Sequence, residues 1–369
     1  MLDLELTDEQ KLIRDTIASF AAEQIRPIAR DCDERGHVPD ETAVKGFELG
    51  LIHSAVPEEH GGFGEARSAV TGCLVAEELG WGDLSIALHL LAPRLLVYPV
   101  LDAGTPEQRA RYLPRFATEF HAASAAMVEP RFDFDPTDLA TTARRDNGHF
   151  VLSGAKCFVP LAEEADALLV YARIAGAKGA GGETAAFLVD RGTPGLTISE
   201  REANMGLKAL GTYELSLDDV RVPVAARLGG EAGADLGRIL NHTRVALAAL
   251  AVGVARGAFE YARDYAKERR AFGVAIAQKQ AIAFMLAQMA IEVDATRLLT
   301  WEAAWKLDRG EDATREAVLA QRYAAKMALE VTDNAVQVLG GHGYVRDHPV
   351  ELWLRNARGF ASFEGLAIV

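Results

Sequence analysis

The apolar residues in the first 120 positions recur at helical spacing. Thr7-Asp-Glu-Gln10 has the form of a capping box, in which Thr7 is the N-cap and Gln10 is the third helical residue. The apolar residues that follow share one face, so we expect this helix to run to about Ile25. The same spacing predicts helices at 41–49, 69–79 and 85–97, and one that starts at Thr105 with a proline in its first turn.

The pattern changes near His121. Short apolar runs are now separated by clusters of glycine, proline and aspartate, which is typical of strands. We predict strands at 150–152, 167–174, 184–189, 196–198 and 213–222. Residues 175–182 are rich in glycine and alanine, and we interpret them as a flexible hairpin loop, because no helix start follows to bind phosphate. The region predicts an antiparallel β domain of about 100 residues.

Helical spacing returns after Gly233 and continues to the end of the chain. Ile282, Met285, Met289 and Val293 are spaced as residues on one face of a helix. The chain therefore predicts an α+β fold that is mainly α-helical. We expect an N-terminal helical domain at 1–120, a middle β domain at 121–230 and a C-terminal four-helix bundle at 231–369.

Composition and charge exclude several classes of function. The chain has 369 residues, of which 49% are hydrophobic and 25% charged, so it can hold two or three cores. Its net charge of −14 argues against a nucleic-acid partner, because phosphate binding needs a basic surface. We find no run of about eighteen apolar residues and no signal peptide, and therefore expect no membrane partner.

The cysteines are too few and too scattered to form a structural site. Cys32, Cys73 and Cys157 include no C-x-x-C pair. Neither a disulfide framework nor a zinc site is therefore indicated, and we expect no metal. Free cysteines are consistent with a reducing compartment, so the expected location is the cytoplasm.

Three motifs in the last third of the chain combine glycines with polar residues at fixed spacing. They contain, in order, Arg269, Phe272, Gly273 and Gln280; Gln337, Gly340, Gly341, Gly343 and Tyr344; and Phe363, Glu364 and Gly365. With these motifs the chain resembles the acyl-CoA dehydrogenase family, flavoenzymes that introduce a double bond between Cα and Cβ of an acyl-CoA. The order of helical, β and helical regions is also that of the family.

The resemblance implies an FAD-dependent oxidation of an acyl-CoA to the 2,3-enoyl-CoA. Glu364 matches the base that removes the Cα proton, while the hydride from Cβ passes to the flavin. Because that proton is weakly acidic, the carbonyl oxygen also needs hydrogen-bond donors, which by resemblance are the Glu364 N–H and an FAD hydroxyl. Some members place the base on the helix that begins near Leu240, but Thr243 stands at that position here.

Two neighbours of Thr243 carry polar side chains. Arg244 matches a family arginine near the thioester, and the sequence leaves substrate binding and a buried ion pair as equal alternatives. His242 is interpreted as structural, since the sequence offers it no partner.

The resemblance also implies a shared cofactor site. Residues that in the family mostly contact the adenosine end of FAD across a subunit interface match Arg269, Phe272, Gln280, Gln337, Gly340 and Gly341. We therefore expect a homodimer or a homotetramer built as a dimer of dimers. The implied electron acceptor is an electron-transferring flavoprotein.

The β domain departs from the family where the flavin ring is held. Val128 and Phe158 stand at flavin-contact positions, but the family's glycines after Val128 are missing, and Phe134 replaces a serine that contacts the flavin. Pro160 replaces a threonine that bonds the flavin, and proline has neither a hydroxyl nor an N–H. After Gly365 two more polar contacts are lost, and the sequence ends without the family's usual last helical turns.

These departures leave other functions open. A flavin-poor partner subunit of a heteromeric acyl-CoA dehydrogenase would keep the motifs around Arg269 and Gln337 while losing its own flavin contacts. A flavin monooxygenase or oxidase on the same fold would not need Glu364. An acyl-CoA-binding protein without redox activity is a further alternative. The sequence does not give the length of the acyl chain.

Overall fold

The computed structural model describes residues 5–174, 183–360 and 363–369 of the chain. Within these residues a helical region is followed by a β region and then by a second helical region, which confirms the predicted fold class. The predicted hairpin loop at 175–182 lies outside the described residues. We keep 120 and 230 as proposed domain boundaries.

The first region is built from seven helices. They are α1 (Asp8–Phe20), α2 (Ala29–Arg35), α3 (Asp40–Glu48), α4 (Ala69–Gly82), α5 (Leu84–Leu91), α6 (Arg94–Ala103) and α7 (Pro106–Tyr112). The predicted capping box is present at α1, where the Gln10 N–H donates to Thr7 Oγ1 over 3.1 Å and the Thr7 N–H donates to Gln10 Oε1 over 3.0 Å. Thr105 and Gln108 form the same box at α7.

Two predicted helices in this region end differently from the prediction. The helix predicted at 85–97 is divided into α5 and α6, because the chain turns at Pro93, which has no N–H to continue the hydrogen bonds of α5. Helix α1 stops at Phe20, and a short π-helical turn at Ala21–Ile25 continues it to the predicted end.

The middle region is one mixed sheet of seven strands. They are β1 (Ser124–Ala126), β2 (Thr142–Asp146), β3 (His149–Pro160), β4 (Ala167–Ile174), β5 (Glu183–Asp190), β6 (Leu196–Arg201) and β7 (Thr212–Pro223). The order is β1-β4-β2-β3-β7-β6, and β5 pairs with β4. β1 and β2 both run parallel to β4, so the predicted all-antiparallel sheet is corrected. Alternation along one strand carries no information about the direction of a distant partner.

The last region is a helical bundle. Its elements are α8 (Leu236–Glu268), a hairpin of β8 (Arg270–Ala271) and β9 (Val274–Ala275), α9 (Gln280–Asp308), α10 (Thr314–Leu339), α11 (Gly341–Tyr344) and α12 (Val350–Phe360). Helices α8, α9, α10 and α12 pack against one another as the predicted four-helix bundle. Helix α8 also packs along α4, which joins the bundle to the first region.

Two stretches are long and apolar enough to cross a membrane by length and composition alone. They are Leu84–Ala103 and Leu236–Glu268, and 89% and 78% of their apolar windows are buried inside the protein. Helices that are buried to this extent lie in the core of the protein. Close packing of α8 on α4 depends on Gly253, where a Cβ would lie 2.2 Å from the Glu77 carbonyl oxygen.

Candidate active site

Helix α8 and the segment after α12 bring Arg244 and Glu364 together. Arg244 Nε and Nη2 lie 3.4 and 3.5 Å from Glu364 Oε1. The two side chains are 14% and 17% exposed, so the contact is mostly shielded from water. Of the two alternatives left open for Arg244, the structure contains the ion pair.

The second oxygen of the same carboxylate has no partner. Glu364 Oε2 is buried and accepts no hydrogen bond from the described residues. A buried polar atom without a partner is costly, and such atoms in native structures call for an explanation. An unpaired carboxylate oxygen is the kind of group that can accept a proton from a bound molecule.

Gly365 cannot be replaced without distorting this site. Its φ is +71°, a backbone conformation that disfavours side chains. A Cβ at Gly365 would also lie 3.1 Å from Met127 Sδ. Met127 therefore packs directly against the residue that follows Glu364, a contact that no motif in the sequence indicated.

Two aromatic rings form a wall beside Glu364. Phe158, at φ +51°, lies with its ring centroid 4.3 Å from that of Phe363. A cavity of about 130 Å³ lies next to these rings, and Gly359 and Leu366 also line it. A Cβ at Gly359 would lie 3.1 Å from the Phe363 ring, so the glycine leaves room for it.

The residues predicted to contact the flavin ring use backbone hydrogen-bonding groups within the protein. The Phe158 N–H already donates to Glu202 Oε1 over 3.1 Å, and the Val128 carbonyl accepts from the Cys157 N–H over 3.0 Å. Pro160 ends β3 and has no N–H to offer. A flavin here would therefore meet apolar side chains, without a free N–H from Phe158 or Pro160.

The residues predicted to contact the adenosine end of FAD form a separate, exposed surface. All of them are solvent-exposed; they are Arg269, Phe272, Gln280, Gln337, Gly340 and Gly341. The Tyr265 hydroxyl and His342 Nδ1 are 2.7 Å apart and join the end of α8 to the Gly340–Gly341 turn. A Cβ at either glycine would meet no atom within 4 Å, so this turn is open to a ligand.

This exposed surface is far from Glu364 in the same chain. Arg244, which contacts Glu364, and Arg269 are 25 residues apart along α8. At about 1.5 Å per residue their Cα atoms are about 37 Å apart, at opposite ends of one long helix. Glu364 and the Arg269 surface are therefore two separate regions of the chain.

Thr243 and His242, which precede Arg244 on α8, contact backbone groups of the protein. Thr243 Oγ1 donates to the Leu240 carbonyl over 2.8 Å, as is common for a hydroxyl within a helix. The interpretation of His242 as a residue without a partner was wrong, because its Nδ1 lies 2.7 Å from the backbone oxygen of Val369. Burial, followed by the charge of Arg67, lowers the pKa of His242 to about 4.

No group of three or more histidine, cysteine, aspartate or glutamate side chains among the described residues is arranged to hold a metal ion. Cys32, Cys73 and Cys157 are each buried as free thiols. Burial raises the pKa of the Cys157 thiol to about 12, so this thiol stays protonated at neutral pH.

Comparison with known proteins identifies relatives over nearly the whole chain. Residues 7–119, 124–220 and 234–367 match the N-terminal, middle and C-terminal domains of acyl-CoA dehydrogenase. Cyclohex-1-ene-1-carbonyl-CoA dehydrogenase of Geobacter metallireducens is 38% identical over 357 residues, which is 96% of this chain and 93% of the relative.

Solved structures are similar over the same length. Butyryl-CoA dehydrogenase of Megasphaera elsdenii has a TM-score of 0.88 at 30% identity, over 99% of this chain and 96% of that one. The FAD complex of PigA has a TM-score of 0.89 at 27% identity, with the same coverage.

Proposed function

Since this chain belongs to the acyl-CoA dehydrogenase family and is an oxidoreductase of that family, we propose that it oxidises an acyl-CoA thioester to the 2,3-enoyl-CoA with FAD as its cofactor. The observation that supports this proposal most directly is the buried Glu364 carboxylate, of which Oε1 contacts Arg244 and Oε2 has no partner among residues 5–174, 183–360 and 363–369. FAD, when bound, supplies the acceptor for the hydride that leaves Cβ.

Glu364 is the proposed catalytic base. Its free Oε2 takes the Cα proton, while Arg244 holds Oε1 and so fixes the orientation of the carboxylate. Negative charge then develops on the thioester oxygen, and the Glu364 backbone N–H is the donor that this chain offers to stabilise it. The apolar residues around the base keep water away from the reacting atoms.

FAD is proposed to lie between two chains. Val128 and Phe158 of one chain contact the flavin ring, and Arg269, Phe272, Gln280, Gln337, Gly340 and Gly341 of a second copy hold the adenosine end. The separation of about 37 Å along α8 supports this division, because it places the two groups of residues at opposite ends of the helix.

A homodimer, or a homotetramer built from two dimers, is the assembly that such sharing requires. Helix α9 supports it with a stripe of large apolar side chains seven residues apart. Phe284, Ile291 and Leu298 are 66%, 61% and 49% exposed, which is unusual for a surface that stays in water.

The substrate is proposed only as a class. Relatives of this chain are a butyryl-CoA and a cyclohex-1-ene-1-carbonyl-CoA dehydrogenase, so the acyl group varies widely among them. We propose an electron-transferring flavoprotein as the electron acceptor. The three free, buried cysteines are consistent with the reducing cytoplasm as the location.

A specific observation favours a second candidate function, that of a flavin-poor partner subunit in a heteromeric acyl-CoA dehydrogenase. The rings of Phe158 and Phe363 are in contact, and Pro160 offers no hydrogen bond to a flavin. The exposed Arg269 surface would then serve the FAD of a different chain. A monooxygenase or oxidase on this fold would have no use for Glu364.

An absorption spectrum followed by an anaerobic titration separates these functions. Bound flavin in the purified protein, bleached by a short, medium or branched acyl-CoA without oxygen, supports the dehydrogenase. A colourless protein that acquires flavin only beside a second, standard family member supports the partner subunit. Bound flavin that no acyl-CoA bleaches, but that consumes oxygen when reduced, supports the oxidase or monooxygenase.

A further inference from the structure

A buried ion pair lies under the candidate active site. Lys156 Nζ is 3.0 Å from Glu129 Oε1, and the two side chains are 0% and 2% exposed. Charged groups are rarely buried so completely, because removing them from water is costly unless every hydrogen bond is made. The pair therefore holds the backbone around Glu129 and the backbone around Lys156 in one fixed position relative to each other.

Glu129 connects three separate stretches of the chain. Its carboxylate accepts from the Ala140 N–H over 2.7 Å, from the Thr141 N–H over 2.8 Å, and from Lys156. Burial alone would raise the pKa of Glu129, but Lys156 and these N–H groups hold it below the usual value. Burial lowers the pKa of Lys156 to about 8, so both groups are charged at neutral pH.

The second hydrogen bond of Lys156 reaches the wall of the site. Lys156 Nζ donates to the Met127 carbonyl over 3.1 Å, and the Cys157 N–H donates to the Val128 carbonyl over 3.0 Å. The backbone after β1 is therefore fixed to β3 at two successive residues.

The two residues beside Glu364, Phe363 and Gly365, pack against the two segments that Lys156 joins. Met127 packs against Gly365, and Phe158, two residues after Lys156, packs against Phe363. Glu364 itself lies in a short segment without a helix or strand of its own. The position of the Glu364 backbone, from which its side chain reaches Arg244, therefore depends on what holds its two neighbours.

We infer that Lys156 is a positioning residue for Glu364. Its ammonium group, held between the Glu129 carboxylate and the Met127 carbonyl, fixes Met127 against Gly365 and so sets the direction of the carboxylate. The inference rests on the proposed function for its meaning in catalysis, while the structural link from Lys156 to Gly365 can be tested without any activity.

The test replaces Lys156 with methionine, which keeps the length and apolar stem but removes the charge. Under anaerobic conditions with an acyl-CoA that bleaches the wild type, the kcat of Lys156→Met should fall about 10- to 100-fold. KM should change little, since Lys156 does not contact the proposed substrate site. Amide hydrogen exchange should rise at 127–128 and 363–366.

Two further variants separate positioning from general loss of stability. Glu78→Gln breaks another buried ion pair, in which Glu78 contacts Arg256 at 3.1 and 2.5 Å, in the helical part of the protein. It should leave kcat and exchange at 363–366 unchanged. If Lys156→Met does not fold, the double variant Lys156→Met/Glu129→Gln removes both charges and should show the same rise in exchange.

Unchanged exchange at 363–366 in both Lys156 variants would overturn the inference. An equal fall in kcat for Glu78→Gln and Lys156→Met would also overturn it, because the loss would then reflect stability alone. If the wild type oxidises no acyl-CoA, the proposed function fails, but the exchange experiment still decides whether Lys156 holds the Glu364 segment.

Discussion

Arg244 contacts only one oxygen of Glu364. Its Nε and Nη2 lie 3.4 and 3.5 Å from Oε1, whereas Oε2 is buried and accepts no hydrogen bond within the part of the chain that the structure describes. A guanidinium group can contact both oxygens of a carboxylate, so this one-sided contact leaves the other oxygen available. Oε1 is therefore the oxygen held by the ion pair, and Oε2 is the oxygen proposed to accept the proton.

Glu364→Gln should remove the base while keeping the size and polarity of the side chain. We expect the rate of flavin bleaching by an acyl-CoA to fall by about 10²–10⁴. Flavin content and acyl-CoA binding should remain close to those of the wild type. Equal bleaching rates for the two proteins in an anaerobic stopped-flow experiment would show that another group removes the proton.

Replacement of Arg244 should reduce the rate by less than the loss of Glu364. Arg244→Met frees Oε1, so the carboxylate can turn, and a misplaced base typically costs about 10²-fold. Arg244→Lys keeps the charge but not the planar group with two nitrogens at Oε1, and should have an intermediate rate. The same bleaching assay checks the predicted order, and a slower Arg244→Lys than Arg244→Met would contradict it.

Protonation of His242 should destabilise the protein at low pH. Its pKa falls from 6.5 to about 4 on folding, so between these values the unfolded chain binds more protons. Stability should therefore be lost as the pH drops from about 6.5 to about 4, by on the order of 3 kcal/mol. Among the nearby charges, Arg67 and Arg238 lower the pKa of His242 and Asp102 raises it, and the value of about 4 reflects all three.

Urea unfolding at a series of pH values measures this effect, with His242→Gln as the matched control. Glutamine can still donate to the backbone oxygen of Val369 but does not titrate. The variant should lose less stability than the wild type between pH 7 and pH 4. Parallel pH curves for the two proteins would show that other groups account for acid unfolding.

Sharing of FAD between chains predicts that two inactive variants can complement each other. Consider a mixed dimer of one Arg269→Ala chain and one Glu364→Gln chain. One of its two sites combines the Glu364 that the Arg269→Ala chain retains with the Arg269 that the Glu364→Gln chain retains, while the other site carries both substitutions. With random pairing the mixture should recover about a quarter of the wild-type rate. If each chain used its own Arg269, every site would carry a defect and coexpression would recover no activity.

Pro160→Thr should raise the fraction of protein that carries flavin. Threonine restores both an N–H and a hydroxyl at the end of β3, where proline offers neither. Pro160→Ala is the control, because it restores only the N–H. Flavin absorbance per protein measures the result, and no gain with threonine would place the weakness at Phe134 and its neighbours.

The sequence alone determined the features that depend on neighbouring residues. The capping box at Thr7, the helix start at Thr105, the strand at 167–174 and the division into helical, β and helical regions were all predictable. Each depends on local hydrogen bonds or on the spacing of apolar residues, which a sequence displays directly. The motif around Glu364 also indicated the family.

The tertiary structure decided every feature that joins distant residues. Arg244 and Glu364 are 120 residues apart, His242 and Val369 are 127 apart, and Lys156 reaches Met127 across 29 residues. No spacing rule links such residues, because their contact depends on how whole helices and strands pack. The parallel pairing of β1 and β2 with β4 is of the same kind. The sequence therefore supplied the candidate base, and only packing determined which of its two oxygens is free.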